Sequence, residues 1–194
     1  MDVCFTGKKL MYMEKEHCVY FTRHGETIWN VENKICGSTD IALTARGRNQ
    51  ARELGEKILK EKIEIDEILY SPLIRARDTA LIISEITKIP AGPDVRLTEQ
   101  NFGKYESTPR DGAEFWRAKE NFIYGFDGGE TMLRLCQRIY NVLDDIKNEP
   151  EKTYLLVAHN GISRAVESYF RDMKNDEFGA FGIGNCELVK HVFC

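Results

Sequence analysis

The sequence predicts an α/β fold with a mostly parallel central sheet covered by helices on both faces. Three observations carry this expectation. A β-rich run at 18–22 (CVYFT) stops abruptly at Arg23-His24-Gly25. A near-continuous apolar run at 154–158 (YLLVA) is of the kind buried on both sides of parallel sheets. Between such runs lie segments whose apolar residues recur at helical spacing, and strands alternating with helices imply right-handed βαβ crossovers.

Taken in order, residues 1–16 show little periodicity, hold two further methionines at Met11 and Met13, and are set apart as an N-terminal extension of unknown role. The first strand follows at 18–22. Residues 44–60 read as a helix, with Thr44 as N-cap and Ala51, Leu54, Ile58 and Leu59 on its apolar side. A second strand at 68–71 leads through Ser71-Pro72 into a helix carrying Leu73, Ala76, Ala80, Ile83 and Ile86. Pro90 and Pro93 end it, and 95–97 is expected to be a third strand.

Residues 100–127 mix glycines and Pro109 with Phe102, Tyr105, Phe115, Trp116, Phe122, Tyr124 and Phe126. That is more aromatic than a solvated loop, so the segment is expected to fold over something, its aromatics packing rather than walling a site. After Gly128-Gly129-Glu130-Thr131, an amphipathic helix presents Met132, Leu135, Cys136, Ile139, Leu143 and Ile146. The buried strand at 154–158, a helix from Ile162 onward and a last strand at 186–193 complete the chain.

Composition narrows the function. The 194 residues suit one domain with a continuous core, and no apolar run is long enough to span a bilayer, so neither a membrane nor a lipid surface is expected as partner. A formal charge of -4 argues against a nucleic-acid partner, which would normally demand a basic excess. Six cysteines lie scattered without zinc-type spacing and read as reduced thiols; no metal or other cofactor is expected. Without a secretory signature, the cytoplasm is the default location. No feature fixes the oligomeric state, and a homodimer stays open.

Chemistry is sought just beyond the carboxyl ends of the strands, where open α/β sheets bind ligands. Arg23 and His24 follow the first strand, Arg75 the second, Glu99 the third and His159 the fourth. Two arginines, two histidines and a carboxylate suit phosphoryl transfer. Guanidinium forks match phosphate oxygens, and a neutral imidazole attacks phosphorus when its other nitrogen is held by an acceptor, here the backbone near Gly25. Glu99 would protonate the departing alkoxide, with Glu26 and Glu106 as competitors, and His159 is expected to serve best protonated.

These residues also resemble a known family. Thr22-Arg23-His24-Gly25-Glu26-Thr27 with Trp29-Asn30 is similar to the signature of the histidine phosphatase superfamily, the phosphoglycerate-mutase-like group. Cys36-Gly37-Ser38-Thr39-Asp40, Ser71-Pro72-Leu73-Ile74-Arg75-Ala76, Leu97-Thr98-Glu99-Gln100-Asn101-Phe102-Gly103, Gly128-Gly129-Glu130-Thr131 and Val157-Ala158-His159 resemble its later motifs in the same order. The resemblance implies a three-layer α/β/α sandwich with an antiparallel edge strand, and makes 17–194 a single domain of this family. It implies that His24 is phosphorylated, that Arg23, Arg75 and His159 hold the phosphoryl group, that Glu99 donates the proton, and that the reaction needs no metal. Asn30, Gly37, Asn160 and Arg110 would contact a small phosphorylated metabolite. Arg110, Arg117 and Lys119 would be available to grip a second anionic group.

Three features depart from the resemblance: His159-Asn160-Gly161 stands where mutases usually carry His-Gly-Asn, Ser107 follows Glu106 where glycine is common, and the excursion between Glu99 and Gly128 is short compared with the long, basic insertion that resembles the cofactor-dependent mutases. The leading reading is a phosphatase for small monoesters. The alternatives are a cofactor-dependent phosphoglycerate mutase and a binding domain that kept the pocket without turnover.

Overall fold

The computed structural model describes residues 16–194. Apart from Glu16, the N-terminal extension lies outside the described residues. The chain runs β1 (Cys18–Arg23), α1 (Ile28–Val31), α2 (Ala45–Lys60), β2 (Glu67–Tyr70), α3 (Ile74–Thr87), β3 (Ala91–Pro93), α4 (Ala113–Lys119), α5 (Met132–Lys147), β4 (Tyr154–Ala158), α6 (Asn160–Phe170), α7 (Asn175–Ala180) and β5 (Leu188–Val192). One sheet is ordered β3-β2-β4-β1-β5. β1, β2, β3 and β4 run parallel, and β5 is antiparallel to β1 at the edge.

Side-chain alternation along the strands divides the core in two. Leu155 and Val157 of β4, with Ile68 and Tyr70 of β2, face Leu54 and Ile58 of α2 and Ala76, Ala80 and Ile83 of α3. Tyr154, Leu156 and Ala158, with Val19 and Phe21 of β1, face Leu135, Ile139 and Leu143 of α5 and Ile162 and Val166 of α6. Every residue of β4 is buried, as its unbroken apolar sequence requires. Helix starts follow their caps: Thr44 accepts from Gly47 N–H, and Thr131 from Arg134 N–H.

The third strand is not where hydrophobicity places it. Residues Val95–Leu97 form a 3-10 turn whose entry is capped by Asp94, whose carboxylate accepts from Arg96 N–H. The strand is the preceding Ala91–Pro93, paired parallel to Ile68, Leu69 and Tyr70. Proline is tolerated there because β3 is an edge strand and Pro93 has no ladder bond to donate on its open side. α3 likewise begins two residues past Pro72, at Ile74.

The segment 100–127 folds around a third apolar cluster of Ile35, Phe102, Tyr105, Phe115 and Phe126. It contains a short helix, α4, that no sequence periodicity announces. From β1 the chain leaves toward the face of α2, while from β4 it leaves through α6 on the opposite face. The crevice therefore opens between β1 and β4, where the direction of winding reverses.

Stability should reflect this layering. Leu156 is fully buried while Leu59 is 52% exposed. In urea unfolding, Leu156→Ala is expected to lose about 2–5 kcal/mol, and Leu59→Ala to stay within about 0.5 kcal/mol of wild type.

Candidate active site

Sheet register sets the site. β1 pairs Arg23 with Ala158, and β2 pairs Tyr70 with Val157. The next residue on each of these strands is His24, His159 or Ser71, so the three stand side by side on the carboxyl edge. His24 N–H donates to the Ala158 carbonyl at 2.9 Å, and Ser71 N–H to the Val157 carbonyl at 3.1 Å. The imidazole centroids of His24 and His159 are 5.2 Å apart.

The tautomer of His24 is settled by its partner. Nδ1 lies 2.7 Å from the Gly25 carbonyl oxygen, which can only accept, so Nδ1 carries the hydrogen and Nε2 keeps its lone pair. Gly25 is itself tethered by N–H donation to Thr79 Oγ1, which donates to the Arg75 carbonyl. Burial, then the charges of Arg75 and Arg23, hold the His24 pKa well below its ordinary value. The ring is neutral at neutral pH, as attack on phosphorus requires.

His159 differs from expectation. Its Nε2 is 2.7 Å from Ser71 Oγ, a partner the sequence did not suggest. Burial and the Arg75 charge lower its pKa well below the ordinary value, so the free protein holds it neutral rather than protonated.

The two arginines converge on the same edge. Arg75 is wholly buried, with Nη1 donating to the Thr39 carbonyl at 2.8 Å and Nη2 to the Gly37 carbonyl at 2.7 Å. Arg23 donates from Nη1 to the Ile183 carbonyl, and burial lowers its pKa to about 10, leaving it charged at neutral pH. The loop that holds Arg75 is clamped in turn by Glu106, which accepts from the N–H groups of Gly37, Ser38, Thr39 and Phe102 and from Thr39 Oγ1. Glu106 is thus engaged in structure. Glu26 is similarly engaged, accepting from Thr44 Oγ1 beside Arg46.

Glu99 is placed otherwise. It is 6% exposed, with Oε1 accepting from Gln100 N–H at 2.8 Å and Oε2 from Gly161 N–H, in the first turn of α6, at 2.9 Å. It lines a cavity of about 90 Å³ together with Arg110, Lys119, Asn160 and Arg164. Phe115 and Trp116 also line this cavity, whereas the sequence reading gave them packing roles only. Asn160 is fixed through Oδ1, which accepts from Ile183 N–H at 2.9 Å.

Asn30 completes the capping box of α1, its Oδ1 accepting from the N–H of the N-cap Thr27, and reaches the His24 neighbourhood through Asn185, whose Nδ2 donates to the His24 carbonyl at 2.8 Å. Arg117 does not join the set; it is exposed on α4 and turns back to the Ala113 carbonyl. Ser71, Asn185 and Arg164 were missed. Arg164 had a signal, since it stands four residues after Asn160 and so shares its helical face. Asn185 sits in an irregular segment with none.

Both histidines should report their environment directly. In NMR titrations the imidazoles of His24 and His159 are expected to show no protonation step between about pH 6 and 8. Their lowered pKa values also mean that the unfolded chain binds protons the folded chain does not below about pH 6.5, so thermal stability falls on acidification through that range.

Comparison with known proteins gives the family and the fold. The chain is 36% identical over 149 residues to the "uncharacterized phosphatase PhoE" of Bacillus subtilis, covering 76% of this chain and 74% of that one. It is 33% identical over 157 residues to the "probable phosphoglycerate mutase GpmB" of Erwinia tasmaniensis, covering 76% and 71% respectively. Its fold matches a mycobacterial glucosyl-3-phosphoglycerate phosphatase solved with VO3, with a TM-score of 0.78, 26% identity and 90% of each chain covered. The profile of the histidine phosphatase superfamily (branch 1) matches residues 19–193, and the chain belongs to that family.

Proposed function

We propose that the protein is a metal-independent phosphatase that hydrolyses small phosphate monoesters through a phosphohistidine on His24. One observation carries the reading. Arg23 Nε, Arg75 Nε and His159 Nδ1 are buried polar atoms without a hydrogen-bond partner, and all three belong to residues grouped about the neutral His24 ring. Buried polar groups are nearly always paired, so such a set suits a ligand rich in acceptor oxygens.

In the first step His24 Nε2 attacks phosphorus and the bond from phosphorus to the alcohol oxygen breaks. Glu99, as the general acid, gives a proton to that oxygen, and the alcohol leaves. Arg23 and Arg75 neutralise the transferred oxygens. Ser71 Oγ, which accepts from Leu73 N–H, gives its own hydrogen to His159 Nε2, so that His159 Nδ1–H donates to the phosphoryl group. In the second step water attacks phosphorus, Glu99 takes the water proton, and the bond to His24 Nε2 breaks. Asn30, Gly37, Asn160 and Arg110 contact the ester.

We favour hydrolysis over isomerisation because the excursion between Glu99 and Gly128 is short beside the long basic insertion associated with cofactor-dependent mutases. The net charge of -4 supports the further proposal that the chain takes no nucleic acid as partner, and we propose the cytoplasm as its location. No described helix is long and apolar enough to cross a membrane.

With p-nitrophenyl phosphate and EDTA, wild type should release phosphate, and His24→Ala should lose roughly 10³-fold or more in rate. No release from any ester, or conversion of 3-phosphoglycerate to its isomer without release, would overturn the reading.

Acid catalysis has its own signature. Glu99→Gln should lose at least about tenfold more on an alkyl phosphate than on p-nitrophenyl phosphate, whose leaving group needs little protonation. Equal losses would remove Glu99 from the acid role. At Gly161 an added Cβ would lie 2.4 Å from Glu99 Oε1, so Gly161→Ala should show the same skewed loss.

A further inference from the structure

We propose that the cavity beside Glu99 is a second anion subsite built by Arg110, Lys119 and Arg164, so that the ester hydrolysed at His24 carries another anionic group on its alcohol. The inference rests on the phosphatase reading and names the substrate class for that site.

Charge within the pocket is badly unbalanced. Arg23 and Arg75 meet the needs of the transferred phosphoryl group, yet three more cations line the adjoining cavity and Glu99 is the one carboxylate among its lining residues. The chain as a whole is acidic, so this concentration is local rather than a general basic surface. Buried charges normally come paired, because removing an unpaired charge from water is expensive.

These three cations lack such pairing. Arg164 is 5% exposed and its Nε has no hydrogen-bond partner, while its Nη1 makes only a 3.5 Å contact to the Gly179 carbonyl. Lys119 is 9% exposed and donates at 3.0 Å to that same carbonyl, so one oxygen serves two cations. Lys119 otherwise rests over the Trp116 ring, 4.2 Å from its centroid. Burial, with Arg164 and Arg110 nearby, presses the Lys119 pKa down to about 7. Arg110 is anchored through Nε to the Lys34 carbonyl at 2.9 Å.

The two regions are contiguous: Asn160 and Gly161 of the cavity lining directly follow His159, Glu99 is bonded to Gly161 N–H, and Cys36 of the lining directly precedes Gly37, whose carbonyl holds Arg75. An ester with its phosphoryl group at His24 and its bridging oxygen at Glu99 therefore extends its alcohol toward the three cations. At about 90 Å³ the cavity suits a carboxylate or a second phosphoryl group and little more.

The test compares matched esters on the full chain. 3-Phosphoglycerate differs from glycerol 3-phosphate by a carboxylate in place of a hydroxymethyl group, and propane-1,3-diol bisphosphate differs from its monophosphate by a second phosphoryl group. Wild type is expected to prefer the more anionic member of at least one pair by about tenfold or more in kcat/KM, and the favoured pair identifies the anion. Arg164→Gln and Lys119→Met should each shrink that ratio toward one, and Arg164→Lys should restore part of it. Calorimetric binding of the same pairs to His24→Ala, which cannot turn over, should show the same preference. Hydrolysis of p-nitrophenyl phosphate by wild type without preference in either pair would overturn the subsite and leave the phosphatase reading intact. Preferential binding without any turnover would uphold the subsite and overturn the phosphatase.

Discussion

The backbone hydrogen bond from His24 N–H to the Ala158 carbonyl is the constraint on which the site depends. It extends the parallel β1–β4 ladder by one residue beyond the strand and thereby fixes His24 against His159. A register slip of one residue would turn Val19, Phe21 and Leu156 out of their shared core and separate the imidazoles at once. Core packing and site geometry are thus two readings of one alignment, and rigid strands carry the reactive groups to their edge.

Around that alignment the protein concentrates positive charge where it cannot hydrate it. Backbone carbonyls from Gly37, Thr39 and Ile183 tether the arginines, and Glu106 fixes the loop that supplies two of these carbonyls. Carbonyl dipoles orient a guanidinium without neutralising it, so the site stays electropositive and adds to the burial that keeps both histidines neutral. An anion entering this field binds only the folded chain and stabilises it in proportion to its occupancy.

The sheet was largely legible in the sequence because its signals are local. YLLVA reads as a buried strand, and Thr44 announces its helix through a side chain that reaches three residues ahead. β3 was misplaced because Ala91-Gly92-Pro93 has poor strand propensity and is held by pairing with β2, a tertiary effect. The order of strand ends set Arg23, His24 and His159 side by side, as the β1–β4 register has them, whereas Arg75 stands in the first turn of α3 and Glu99 follows a 3-10 turn rather than a strand. What stayed hidden depended on distant partners: the protonation state of His159, set by burial; the engagement of Glu106, set by the loop at Gly37, 69 residues earlier in the chain; and the path of 100–127.

That last segment has its own apolar cluster, in which Phe102, Tyr105, Phe115 and Phe126 meet edge to face or tilted against one another. Ile35 is the one buried member from outside it, and neither sheet-face cluster includes these rings. Side chains within this cluster can be exchanged with little disturbance to the strands beneath, while Glu106 and Phe122 tie the segment to the Arg75 loop and to the sheet-face core. The walls beside the departing alcohol thus have a core of their own, distinct from the two that hold the strand-end chemistry.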